Sequence, residues 1–199
     1  MSLNDWRLSF IKRFIRRGFF LFYPKPIGIR ALGMGSAILF PRKIEGVGRI
    51  SVGDDSIVLG GSWISAYTKQ RDQCFDPYVV IGSGVRIGHN AMITAIDRVS
   101  IGDGCLLSGD VFISDHSHGH EYGKGSPVRQ PLVQGGAVTI GKNCFIGIRA
   151  VVMPGVTLGD GCVVGANSVV TKSFPAGSVI AGAPARLIRM QDESAFGSN

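Results

Sequence analysis

The sequence is sparse in several features, and each scarcity excludes something. Cysteine occurs four times in 199 residues, at positions 74, 105, 144 and 162. No two are spaced as C-x-x-C, which argues against a structural zinc site or a dithiol redox site, and a disulfide framework does not suit a chain of this length. No uninterrupted apolar run approaches the ~20 residues that a membrane-spanning helix needs. No basic start, apolar middle and small-residue cleavage site is laid out as in a signal peptide, so the expected location is cytoplasmic. Charged residues are only 18% of the chain, and the net charge of +7 is local. Residues 1–30 hold Arg7, Lys12, Arg13, Arg16, Arg17, Lys25 and Arg30 against the single acid Asp5, and the remainder is nearly neutral. That distribution gives no reason to expect a nucleic-acid-binding body.

Glycine is abundant instead, with 29 residues. From Ile140 the chain runs in sixes: Ile140, Ile146, Val152, Leu158, Val164, Val170. Four residues after most of these stands a small or modest side chain, as at Cys144, Ala150, Val156, Cys162 and Ser168. Earlier groups keep the same step: Val52, Val58, Ile64; Ile81, Ile87, Ile93; Ile101, Leu107, Ile113. Each group opens with a similar phrase, ISVGD, VVIGS, VSIGD and VTIGK.

A period of six matches neither 3.6 nor the heptad, so a long helix is excluded. Alternation over two or three residues gives a short strand, and the following glycine or small residue permits a turn. Three strands and three turns make a triangular coil of eighteen residues. Fifteen hexads then predict about five coils, stacked with parallel strands ~4.8 Å apart over an aliphatic column. Insertions at 68–80, near 98 and across 116–137 fall only after a third hexad, so they leave from one corner of the prism. Cys105, Cys144 and Cys162 take the small turn position and read as buried apolar side chains.

Residues 4–17, NDWRLSFIKRFIRR, place Trp6, Phe10 and Phe14 on one helical face with the basic residues mostly elsewhere. The expectation is a basic amphipathic helix, with Asn4 or Asp5 as N-cap. It would pack on the β-helix or another subunit, or attach residues 4–22 peripherally to an anionic inner membrane face. The chain thus divides into an N-terminal segment 1–30, a β-helical catalytic domain 31–178 and a C-terminal tail 179–199.

The hexads, closing on AGAPARLIR, resemble the hexapeptide-repeat acyltransferases over residues ~44–190, in the group of sugar and polysaccharide O-acetyltransferases. The resemblance implies an all-β, left-handed parallel β-helix, usually a homotrimer. It also implies acetyl-CoA as co-substrate and transfer of an acetyl group to a saccharide hydroxyl, with no metal. Three histidines cluster in SDHSHGHEYG at the start of the long insertion, and transfer to a hydroxyl needs a base near neutral pH. In the family the catalytic histidine opens a comparable loop five residues before a glutamate, which here matches His116 and Glu121. His118 is the rival, and Asp115 either orients His116 or belongs to the turn. The family's coenzyme residues match Thr171 and Lys172, the tail arginines Arg186 and Arg189, and backbone positions Ile148 and Ala166. A solvated basic tail is the plainer reading of the cations. On the acceptor side Asn90, Trp63, Tyr67 and the 68–80 insertion stand as candidates, with packing an equal reading for Trp63.

Other readings remain open at this point. One is N-acyl transfer to an amino sugar or another small acceptor. A second is a zinc enzyme resembling the γ-class carbonic anhydrases, with His89 and two of the loop histidines as ligands. A third is a non-catalytic scaffold.

Overall fold

The computed structural model describes residues 28–192. The expected N-terminal helix over 4–17 lies outside them. The described strands are short, most of two to four residues, and collect into three parallel faces. The first face runs Ala31–Leu32, Ile50–Val52, Tyr78–Ile81, Arg98–Ile101, Val138–Ile140, Thr157–Leu158. The second runs Ala37–Ile38, Ile57–Val58, Arg86–Ile87, Leu106–Leu107, Phe145–Ile146, Val163–Val164. The third runs Lys43–Glu45, Trp63–Ala66, Met92–Ala95, Phe112–Ser114, Val151–Val152, Val169–Val170. One strand from each face makes a coil, so the prism has six full coils. The additional coil is the first, over residues 31–45.

The period-six aliphatics are the register of this stack. Val52, Ile81, Ile101 and Ile140 pair in sequence on the first face, as Val58, Ile87, Leu107 and Ile146 do on the second and Ile64, Ile93, Ile113 and Val152 on the third. All twelve are buried, at 2% exposure or less, and form one continuous core. Burying an aliphatic side chain of this size contributes about 1.5–3 kcal/mol, so the column is the main source of stability.

The phrase Gly-Asp has its own role at the first corner, between the first and second faces. Asp54 Oδ1 accepts from the Met34 amide at 2.6 Å, Asp103 Oδ1 from Ser83 at 2.9 Å, and Asp160 Oδ1 from Lys142 at 2.7 Å. Each carboxylate thereby ties its turn to the coil preceding it. Below them run the buried Cys105, Cys144 and Cys162, whose thiols donate to the carbonyls of Gly141, Gly159 and Pro175.

At the second corner, between the second and third faces, Asn90, Asp110, Arg149 and Asn167 all adopt φ of 56–58°. Asparagine and aspartate tolerate this left-handed conformation best, which explains three of the four choices there. The third corner carries the long excursions: the 68–77 segment with its small hairpin Lys69–Gln70 and Gln73–Cys74, and the 115–137 arm. The tail does not trail away. Ser178–Gly182 extends the second face in parallel and Ala185–Met190 folds back on it antiparallel. No helix among the described residues is long and apolar enough to cross a membrane.

Candidate active site

The site forms where the third face ends. Its outward side chains Lys43, Trp63, Met92 and Phe112 floor a groove of about 500 Å³, and Tyr67, His116 and His118 wall it at the third corner. The arm begins as a strand, His116–His118, paired antiparallel with Leu132–Gln134. That pairing fixes His116 against the groove rather than in a free loop.

Asp115 is wholly buried, and its carboxylate is fully engaged. It accepts from the backbone amides of Ile96, at 3.0 and 3.2 Å, and Asp97, at 2.8 Å. It also lies 2.8 Å from Nδ1 of His116. The same carboxylate therefore touches both the Ile96–Asp97 turn and the imidazole. In a neutral imidazole whose Nδ1–H donates to a carboxylate, Nε2 is the nitrogen that carries the lone pair. Ser114 Oγ stands 3.2 Å from the same Nδ1 and donates to the His116 carbonyl at 2.9 Å. Thr94 Oγ1 donates to Ser114 Oγ at 3.1 Å. The Tyr67 ring meets the imidazole edge-on, with centroids 5.8 Å apart. His116 is thus held on three sides, and its side chain is only 9% exposed.

His118 differs. It is exposed, and no carboxylate among the described residues pairs with it. Glu121 is also exposed and pairs with Lys124 instead of His116. Trp63 donates from Nε1 to Ser65 Oγ at 2.5 Å, and Lys43 lies 4.8 Å from its ring centroid. Glu45, 2.8 Å from the Lys43 ammonium, holds that lysine above its ordinary range. Lys43 and Glu45 escaped the sequence reading because the coil that carries them was not counted.

The two insertions clasp each other above the groove. Gln73 accepts from the Leu132 amide at 2.7 Å and donates to the Leu132 carbonyl at 3.0 Å, so one side chain imitates a β-bridge. Arg71 donates to the Val128 carbonyl. Inside the arm, the buried Gln130 accepts from the Glu121 amide and donates to the Glu121 and Gly125 carbonyls. Nothing in the local sequence announces these contacts.

None of the six coenzyme candidates lines the His116 groove. Ile148 and Ala166 stack one coil apart at the second corner, where the Asn167 amide donates to the Ile148 carbonyl at 2.8 Å. A Cβ on Gly147 would come within 2.6 Å of the Ala166 nitrogen, so only glycine lets these two turns close up. Arg186 pairs with Ala181 at the upper end of this corner, and Arg189 with Val179. Asn90 is there too, with Nδ2 donating to Asp110 Oδ1 at 3.2 Å. Thr171 and Lys172 are exposed at the third corner, above His116. The candidates therefore fall on opposite edges of the third face: Tyr67, His116 and Lys172 on one, Asn90, Ile148, Ala166 and Arg186 on the other. His89 also lies at the second corner, away from the loop histidines, with Nδ1 3.2 Å from the Gly60 carbonyl. Among the described residues no group of three or more His, Cys, Asp or Glu is placed to hold a metal ion.

A stack of triangular coils, an arm at one corner and a histidine–aspartate pair at its root define a β-helical acyltransferase architecture. The family described as the hexapeptide repeat of succinyl-transferase matches residues 78–114 and 137–172. The putative lipopolysaccharide biosynthesis O-acetyl transferase WbbJ of Escherichia coli K12 is 36% identical over 142 residues, 68% of this chain and 72% of that protein. Galactoside O-acetyltransferase of the same organism is 39% identical over 123 residues, but the chain spans only 57% of its length. A crystal structure of AntD, an N-acyltransferase from Bacillus cereus in complex with dTDP and 3-hydroxybutyryl-CoA, superposes with a TM-score of 0.68 at 20% identity, covering 85% of this chain and 87% of that one. At that identity the likeness is one of fold. The chain belongs to the hexapeptide-repeat acyltransferase family, and its fold is the left-handed parallel β-helix.

Proposed function

We propose that the protein transfers an acetyl group from acetyl-CoA to a hydroxyl of a saccharide, in the synthesis of a surface polysaccharide. The observation that carries this reading is the Asp115–His116 pair at the groove. Asp115 occupies Nδ1, so Nε2 is the nitrogen available to an acceptor hydroxyl. His116 takes the hydroxyl proton as the acceptor oxygen bonds to the thioester carbonyl carbon. The C–S bond then breaks, and His116 returns the proton to the departing thiolate. No covalent enzyme intermediate is needed. A base of this kind is worth about 10²–10⁴-fold in rate. Trp63 in the floor and Tyr67 in the wall of the groove offer flat rings that suit a sugar. The names of WbbJ and galactoside O-acetyltransferase, at 36% and 39% identity, both refer to O-acetyl transfer, which favours a hydroxyl over an amine.

The division of residues between two edges supports a site shared by neighbouring copies in a homotrimer. One copy supplies His116, Asp115 and the groove, and His118 is free to touch an acceptor. The neighbour's second corner supplies Asn90 and the amide column at Ile148 and Ala166, with Arg186 and Arg189 for the coenzyme's phosphates. Thr171 and Lys172 complete the coenzyme contacts. In this reading residues 31–178 are the catalytic domain, residues 179–199 contact the coenzyme, and residues 4–22 of the N-terminal segment 1–30 serve attachment. The protein works in the cytoplasm, peripherally on the inner membrane face.

Calorimetry tests the donor side. Acetyl-CoA binding that weakens at least tenfold in a folded Lys172→Ala, Arg186→Ala, Arg189→Ala variant supports the reading, and no binding by the wild type contradicts it. An acceptor panel pairing each sugar with its amino analogue decides between O- and N-transfer.

A further inference from the structure

Beyond the groove, one aromatic ring gathers an unusual set of charges. The guanidinium carbons of Arg30, Arg49 and Arg98 lie 5.1, 5.1 and 5.8 Å from the centroid of Tyr78. These residues come from three different coils. Arg49 donates to the Tyr78 hydroxyl at 2.6 Å and pairs with Asp76 at 2.5 Å. Among the described residues, Asp76 is the one carboxylate ion-paired with the three arginines, which leaves a surplus of two positive charges. All three guanidiniums lie within about a Debye length of one another, so their repulsion is only partly screened. The aromatic face offsets part of it. Arg30 and Arg98 are exposed and Arg49 is partly so, which leaves donors open to solvent.

The cluster does not line the His116 groove. It stands around the third corner from it, where the first face begins. Tyr67 and Tyr78 bracket the same insertion, one ring in the groove and the other under the arginines. The turn Ile96–Asp97–Arg98 serves both places: amides of Ile96 and Asp97 hold Asp115, and the next residue carries a guanidinium of the cluster. Beyond this edge the outward side chains of the first face are small and uncharged: Ser51, Val80, Ser100, Thr139 and Thr157.

We infer that Arg30, Arg49 and Arg98, held on Tyr78, form a binding site for a phosphate group. Planar guanidinium forks match phosphate oxygens in pairs. A phosphate monoester, or a diphosphate esterified at both ends, carries about two negative charges near neutral pH, equal to the surplus. A carboxylate would neutralise only half of it. The group belongs either to a soluble phosphorylated molecule, such as the far end of a phosphate-bearing acceptor, or to a lipid headgroup. The site stands whether or not the protein transfers acetyl groups.

The experiment uses the full chain and two charge-matched variants. One is Arg30→Gln with Arg98→Gln. The control is Lys124→Gln with Arg129→Gln, which removes two charges from the exposed arm. Pyrophosphate binding is measured by calorimetry with saturating coenzyme A, so that the coenzyme's own cations are filled. Binding to vesicles containing phosphatidic acid, whose headgroup is a phosphate monoester, is measured by flotation, with phosphatidylcholine vesicles as blank. The expected result is a fall of at least tenfold in one of the two affinities for the Arg30/Arg98 variant, with the control near wild type. A fall in pyrophosphate binding identifies a soluble phosphate; a fall in vesicle binding alone identifies a headgroup. Equal behaviour of the two variants in both assays, or no binding of either probe by the wild type, overturns the inference.

Discussion

Asp115 and His116 are neighbours in sequence, yet their side chains turn toward each other and meet at 2.8 Å over a carboxylate that two amides from another coil already hold. The amides of Ile96 and Asp97 fix the carboxylate, the carboxylate fixes the imidazole, and the imidazole lines the groove.

Replacing Asp115 by Asn keeps the shape and removes the charge. The new amide donates toward Nδ1 and drives the proton to Nε2, the wrong nitrogen for a base. We expect turnover to fall by up to about 10⁴-fold, by analogy with the same change in other histidine–aspartate pairs. Asp115→Ala would also leave the buried Ile96 and Asp97 amides short of a partner, at about 1–3 kcal/mol for each. Steady-state kinetics and thermal melts on both variants separate the two effects.

Gln73 is expected to position the arm. Gln73→Ala loses both hydrogen bonds to Leu132, each worth about 0.5–1.5 kcal/mol. The core is untouched, so global melting should move little. Hydrogen exchange over residues 119–133 should accelerate, and KM for the acceptor should rise more than kcat falls. Unchanged exchange in that segment would show that the clasp does not hold the arm.

Gly147→Ala forces a methyl to within 2.6 Å of the Ala166 nitrogen. Overpacking of this kind costs about 1–3 kcal/mol. It pries apart the two turns proposed to line the coenzyme arm, so acetyl-CoA affinity should drop while the His116 groove keeps its geometry. Calorimetry beside a thermal melt measures both.

The first-corner ladder makes stability depend on acid. The Ser83 amide, and then Lys142, hold the Asp103 carboxyl below its ordinary range. A depressed folded value adds stability that is fully present above the unfolded value of about 4 and is lost as pH falls through the folded one. Asp103→Asn should therefore lower Tm at neutral pH and flatten the acid limb below about pH 4. Melting curves between pH 7 and pH 3 test this; parallel curves for variant and wild type would contradict it.

The repeat was legible because every element of it is local. A buried aliphatic every sixth residue and a small turn residue four later are dictated within one coil, and each insertion shows as a break in step. The first coil went unread, although Leu32, Ile38 and Ile44 keep the spacing. Leu39 and Glu45 stand where glycine usually follows, and Phe40 and Pro41 fill the second-corner turn, so its phrase does not match the others. At the site, His116 stood out because it opens the histidine-rich insertion and matches the family's catalytic position, and Asp115 because it directly precedes it. Gln73 stayed silent, since its partner Leu132 is 59 residues away. Lys43 reaches the Trp63 ring, and the arginines gather around Tyr78, only when coils stack. Asn90 carries a conformational demand as well, a φ of 58° at the second corner, which no pattern of side-chain chemistry reveals.

The most direct test compares wild type with His116→Ala for release of coenzyme A thiol from acetyl-CoA, with a saccharide acceptor present, after calorimetry has shown that both bind acetyl-CoA. The account predicts donor affinity within about threefold and a turnover loss of about 10²–10⁴-fold in the variant. A variant that binds acetyl-CoA and turns over at the wild-type rate would show that His116 is not the base.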